Sequence, residues 1–142
     1  MRWVTRSPEE TGRAGEEFAR LLHPGDTVAL IGTLGSGKTC FAAGVCRDLG
    51  VLVQVTSPTF ALVNEYPAPF GRVAHFDMYR IERREELAEI GFDDYFTPAT
   101  ITLVEWGDKF LDLLPGGWHR VSFFHGTSRE ERIITADEGS LV

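Results

Sequence analysis

Residues 27–31 form a short β-branched and apolar run that empties into Gly32-Thr33-Leu34-Gly35-Ser36-Gly37-Lys38-Thr39, a G-x-x-x-x-G-K-T loop. A helical repeat of Phe41, Ala42, Val45, Cys46 and Leu49 follows at once and stops at Gly50. Strand, glycine-rich loop and helix in that order are the setting in which this spacing makes a phosphate-binding loop. Its glycines let backbone N–H groups close around phosphate oxygens, and the helix N-terminus adds partial positive charge where those oxygens sit. Lys38 is then placed to neutralise the β and γ phosphates of a nucleoside triphosphate, and the Thr39 hydroxyl to ligate the Mg2+ that bridges them.

The rest of the chain supplies a sheet for this loop. Residues 1–6 read as a short strand. Ser7-Pro8-Glu9-Glu10 then opens a helix, with Ser7 as N-cap, Pro8 at the first helical position and Glu10 completing a capping box. Ala14, Phe18, Leu21 and Leu22 make its buried stripe, and Pro24-Gly25-Asp26 turns the chain into the loop strand. Residues 51–55 read as a second strand, and 60–66 and 72–78 as a hairpin. Residues 85–90 read as a helix stopped by Gly91, followed by a turn at 92–96. Ile101-Thr102-Leu103-Val104 is the continuous apolar run of a buried parallel strand and ends on Glu105-Trp106. A short helix at 108–114 and two strands at 118–125 and 129–136 complete the chain. The pattern predicts one α/β domain over residues 1–142. It is a P-loop NTPase-like three-layer sandwich whose central mixed sheet has a parallel core and antiparallel additions.

Charge narrows the partners. Fourteen basic residues against 21 acidic ones leave a net −7, and no basic run exceeds Arg83-Arg84. A domain gripping nucleic acid through phosphates carries a basic patch, so tight RNA binding by this chain alone is not expected. No stretch approaches a membrane span and the N-terminus lacks the apolar core of a signal peptide, so a cytoplasmic protein is expected. Cys40 and Cys46 fall six apart on the helix after the loop, point to different sides, and read as packing residues.

Turnover needs an acidic group near Mg2+ and a group that orients the nucleophile. Glu105 follows four apolar strand residues, as a Walker B carboxylate does, and Asp77 ends a second strand where it could position the attacking water. The alternative for each, less favoured, is an acid capping a strand end. His75 shares a face with Asp77, but two ligands without a third favour a packed or hydrogen-bonded histidine over a metal pair. Thr56-Ser57-Pro58-Thr59 is a hydroxyl-rich loop that reads either as a γ-phosphate sensor or as a plain turn. Trp106 reads as a wall of the site or as a core residue.

Taken together, Thr11, the phosphate loop, Thr56-Ser57-Pro58-Thr59-Phe60, His75-Phe76-Asp77-Met78-Tyr79-Arg80, Leu87-Ala88-Glu89-Ile90-Gly91, Val104-Glu105-Trp106 and the arginine of 129–134 carry a resemblance. The chain resembles the TsaE (YjeE) family, the small P-loop ATPases of bacterial tRNA threonylcarbamoyladenosine biosynthesis. The resemblance implies an auxiliary ATPase using ATP and Mg2+. It would work with TsaB and TsaD as these threonylcarbamoylate the adenosine next to the anticodon, touching tRNA only through them. It implies that Lys38 and the loop residues Gly32, Leu34, Gly35, Ser36 and Gly37 hold phosphates, and that Thr39 and Glu105 hold Mg2+. Asp77 and Thr59 would serve catalysis with Lys38, Trp106 would line the nucleotide, and Thr11 and Arg132 would reach it from the two chain ends, with Arg129 competing for the last role. Thr33, Cys40 and Gly107 depart from common family residues without removing a phosphate or metal ligand. Hydrolysis by the chain alone is expected to be slow, because neither a lid nor an arginine finger is evident. A small-molecule kinase and a nucleotide-dependent scaffold remain as alternatives.

Overall fold

β2 (Thr27–Ile31) lies at the centre because it has no face to give to water: Val28, Ala29 and Leu30 are fully buried. Such a strand needs parallel neighbours on both sides and a covering layer on each face. The computed structural model describes residues 1–56, 58, 62–106 and 109–137. Its remaining elements are β1 (Arg2–Thr5), α1 (Pro8–Ala19), α2 (Lys38–Asp48), β3 (Val63–Ala68), β4 (Gly71–Asp77), α3 (Arg84–Glu89), β5 (Thr100–Glu105), β6 (His119–His125) and β7 (Arg132–Asp137). Short 3-10 turns stand at Phe92–Tyr95 and Leu111–Leu113.

The seven strands make one sheet in the order β1-β7-β6-β2-β5-β4-β3. β6, β2, β5 and β4 run parallel, while β3 at one edge and β7 and β1 at the other are antiparallel additions, as the sequence pattern predicts. Register then fixes the working end. Leu30 pairs with Glu105, and Glu105 with Asp77, so the carboxyl ends of β2, β5 and β4 finish level.

Helices α1 and α2 cover one face over a core that includes Phe18, Phe41, Leu30, Val73, Leu103 and Ile134. α3 and the 3-10 turns cover the other around Phe76, Leu87, Phe92 and Val104. The two helices of the first layer touch backbone to backbone. A Cβ on Gly44 would stand 1.9 Å from the carbonyl oxygen of Gly12, so only glycine allows that approach.

Ser7 caps α1 as expected, its Oγ accepting from the Glu10 N–H at 3.1 Å. The Glu10 carboxylate, however, accepts from Arg6 N rather than Ser7 N, so the reciprocal half of the capping box is displaced by one residue. The α-helical run ends at Ala19, with Leu22 still buried beyond it. Residues 51–55 correct an expectation, because they form no strand. Gly50 turns at φ 90°, Val51 N donates back to Cys46 O at 3.0 Å, and Leu52 is 96% exposed. The run is β-prone, but it pairs with no strand of the sheet, and β propensity is realised only by pairing. The expected hairpin is present as β3 and β4, its first strand running on to Ala68 and its second starting at Gly71, and positions 60, 61 and 108 of the sequence reading lie outside the described residues. No helix among the described residues is long and apolar enough to cross a membrane.

Candidate nucleotide site

The loop between β2 and α2 is shaped by two left-handed glycines, Gly35 at φ 75° and Gly37 at φ 103°, the latter serving as N-cap of α2. Gly32 has a different constraint. A Cβ there would stand 2.7 Å from Ser36 Oγ and 2.8 Å from Phe123 Cβ, so the loop could not seat against β6 with any side chain at this position.

Lys38 is buried although it is a lysine, and its ammonium is satisfied locally. Nζ donates to the carbonyls of Gly32 and Thr33 and lies 3.7 Å from the centre of the Trp106 ring. Trp106 reaches that place through a left-handed turn at φ 60°, pinned by its N–H donating to Leu30 O at 3.1 Å. A tryptophan held at positive φ is strained, and the ring that this turn places over the lysine belongs to the cavity wall.

Glu105 is buried at the end of β5, on the α2 side of the sheet. The Thr39 hydroxyl lies 3.4 Å from Oε1 and 3.3 Å from Oε2, and His75 Nε2 lies 2.6 Å from Oε2. The histidine is thus hydrogen-bonded and packed, as the sequence favours. Among the described residues no group of three or more His, Cys, Asp or Glu side chains is arranged for a transition metal. Asp77, the strand neighbour of Glu105, is also buried, and its Oδ1 accepts from Tyr79 N at 2.9 Å.

Most of the residues singled out in the sequence converge. Thr11, Leu34 through Thr39, Asp77, Glu105, Trp106 and Arg132 all line one cavity of about 580 Å3. Thr11 enters from α1, its hydroxyl 2.7 Å from that of Thr5 and its methyl 3.3 Å from where a Cβ on Gly37 would stand. Arg132 enters from β7 and donates to Gly35 O at 3.0 Å, while Arg129 lines the cavity too. Gly32 supports the loop from below, and Thr59 lies outside the described residues. The sequence reading missed Ser7, Pro8, Tyr79 and Glu130 as wall residues, and Cys40, read as a packing residue, is a half-buried part of the same wall. Ser7 and Pro8 stand one helical turn before Thr11, and Tyr79 two residues after Asp77, and those offsets were the available signals.

The donor set suits a polyphosphate with a hard cation. Ser36 Oγ is buried without a hydrogen-bond partner among the described residues and lines the cavity, an orphan that an incoming acceptor would satisfy. Thr39 Oγ1 and the Glu105 carboxylate stand 3.3–3.4 Å apart at the cavity wall, a pair of oxygen donors of the kind that Mg2+ takes beside phosphate and water.

A family model described as Threonylcarbamoyl adenosine biosynthesis protein TsaE matches residues 5–134. The tRNA threonylcarbamoyladenosine biosynthesis protein TsaE of Treponema pallidum is 38% identical over 117 residues, covering 81% of this chain and 84% of its own. That of Bacillus subtilis is 38% identical over 115 residues, covering 81% and 72%, and that of Haemophilus influenzae 40% over 108 residues, covering 72% and 68%. The crystal structure of Bacillus subtilis YdiB superposes with a TM-score of 0.79 at 31% identity, covering 99% of this chain and 86% of that one.

Proposed function

The chain belongs to the TsaE family of tRNA threonylcarbamoyladenosine biosynthesis, and on that premise we propose that it binds ATP with Mg2+ in the cavity and hydrolyses it in support of TsaB and TsaD. One observation carries the reading: Lys38, Thr39, Asp77 and Glu105 face a single cavity at the level ends of three parallel strands.

The loop amides and Ser36 receive the phosphate oxygens, and Lys38 exchanges the carbonyls of Gly32 and Thr33 for the β and γ phosphates. Thr39 and Glu105 would hold Mg2+, which would supply neutralisation of charge on the phosphate oxygens. Asp77, beside Glu105 and anchored by the Tyr79 amide, orients the attacking water. Thr59 belongs to the same assignment through the family pattern alone.

Hydrolysis by the isolated chain is slow, because the cavity mouth is open to water at Leu34, 78% exposed, and at Tyr79, 52% exposed. Groups supplied by partners then close the site. The test is ATP turnover alone and with TsaB, TsaD and tRNA, for wild type and Glu105→Ala. Turnover that rises with the partners and collapses in the variant supports the proposal. Turnover indifferent to the partners removes the auxiliary role and returns the question to a kinase acceptor or a scaffold.

A further inference from the structure

The Glu105 carboxylate is held very unequally by its two neighbours. His75 Nε2 lies 2.6 Å from Oε2, whereas the Thr39 hydroxyl stands 3.3–3.4 Å from the same carboxylate. A carboxylate accepts, so Nε2 carries the hydrogen, and a charge-assisted bond this short dominates the orientation of the group. The imidazole is itself fixed. It is fully buried on β4, and on one flank its ring lies 6.4 Å from that of Tyr66, whose hydroxyl donates to Thr56 O at 3.2 Å. Its Nδ1 has no hydrogen-bond partner among the described residues. A histidine kept only for packing leaves that polar atom buried with nothing gained over a phenyl ring.

We propose that His75 is the positioning residue of the cation site: by holding Oε2 it fixes the Glu105 carboxylate, both of whose oxygens face the Thr39 hydroxyl, in the orientation a divalent cation needs. The histidine does not touch the cation or the nucleotide. It supplies the outer-shell hydrogen bond that ligating carboxylates require to stay aimed. The inference rests on the proposed assignment of Thr39 and Glu105 as the Mg2+ ligands.

His75→Gln and His75→Asn test it as a pair. Both bury an amide, so both carry a similar folding penalty, but the glutamine N–H reaches the place of Nε2 and the asparagine N–H falls short of it. Mn2+ is the probe, titrated by electron paramagnetic resonance against protein saturated with ADP, and metal-free ADP affinity is measured calorimetrically in chelator. Mn2+ affinity is expected to fall on the order of 10- to 100-fold in His75→Asn, to recover to within about threefold of wild type in His75→Gln by restoring that one hydrogen bond, and metal-free ADP affinity to stay unchanged in both. Equal Mn2+ affinity in the two variants overturns the inference and leaves His75 a packing residue. If wild-type protein takes up ADP but no Mn2+, the cation assignment itself fails and the inference falls with it.

Discussion

Arg132 donates from Nη2 to the carbonyl oxygen of Gly35 at 3.0 Å, joining the last strand to the crown of the phosphate loop across 97 residues of sequence. The same guanidinium donates from Nη1 to the carbonyls of Arg129 and Glu131, so one planar group bridges β7, its preceding turn and the loop. Arg132→Ala is therefore expected to weaken ATP binding about tenfold, the worth of one lost charge-assisted hydrogen bond. Arg132→Lys should recover only part of this, since an ammonium cannot span the three carbonyls. Calorimetric titration with ATP measures both.

Asp77→Asn separates binding from turnover. Its Oδ1 can still accept from the Tyr79 amide, so the strand end is kept. ATP affinity should change little, while single-turnover hydrolysis falls by about 100-fold or more, as expected on loss of a group that orients the nucleophile.

The two cysteines should differ in reactivity. Cys46 is fully buried, and burial pushes its thiol up to about 12, whereas Cys40 is half-buried on the cavity wall. Iodoacetamide at pH 8 is expected to label Cys40 alone, and ATP to protect it. Mass spectrometry of the peptides reads the outcome, and labelling of Cys46 in folded protein would contradict this burial.

Gly44→Ala should separate the two helices of the first layer. The new methyl would meet the Gly12 carbonyl at 1.9 Å, and forcing the backbones apart should destabilise the protein by about 3 kcal/mol. Gly116→Ala is the control: nothing lies within 4 Å of its Cβ, so its thermal midpoint should stay near that of wild type while that of Gly44→Ala drops.

Acid should weaken the β6–β7 turn. The Thr127 backbone N–H and hydroxyl both donate to Glu131 Oε1 and hold its carboxyl below the ordinary glutamate range. A carboxyl with a lowered folded-state pKa contributes stability above its unfolded value and loses it as pH falls through the folded one. The difference in thermal midpoint between wild type and Glu131→Gln should thus be present at neutral pH and close as the pH drops below the ordinary glutamate range.

The parts legible in the sequence are those set by neighbours along the chain. Gly32 to Thr39, the Ser7 cap, the Gly91 stop and the β5 run each state their own conformation through φ preference, capping or periodicity. The parts that were not legible are set across the sheet. Residues 51–55 have strand composition but pair with no strand: Val51 and Val55 pack on the core while residues 52–54 face outward. The His75–Glu105 contact depends on β4 pairing with β5 in a register that puts Asp77 opposite Glu105, which leaves the histidine one step back on the same face. Nothing near either residue in the sequence specifies that register.

The place of β7 between β1 and β6 bears on how the protein is made. During vectorial synthesis α1 and the phosphate loop emerge early, but β1 has no strand to join until residues 132–137 leave the ribosome. Until then β1 and β6 present bare edges, and the cavity lacks the wall that Arg132 provides. The cavity is accordingly completed only when β7 is in place, and a chain stalled after β6 would meet the cell as an open-edged sheet prone to association.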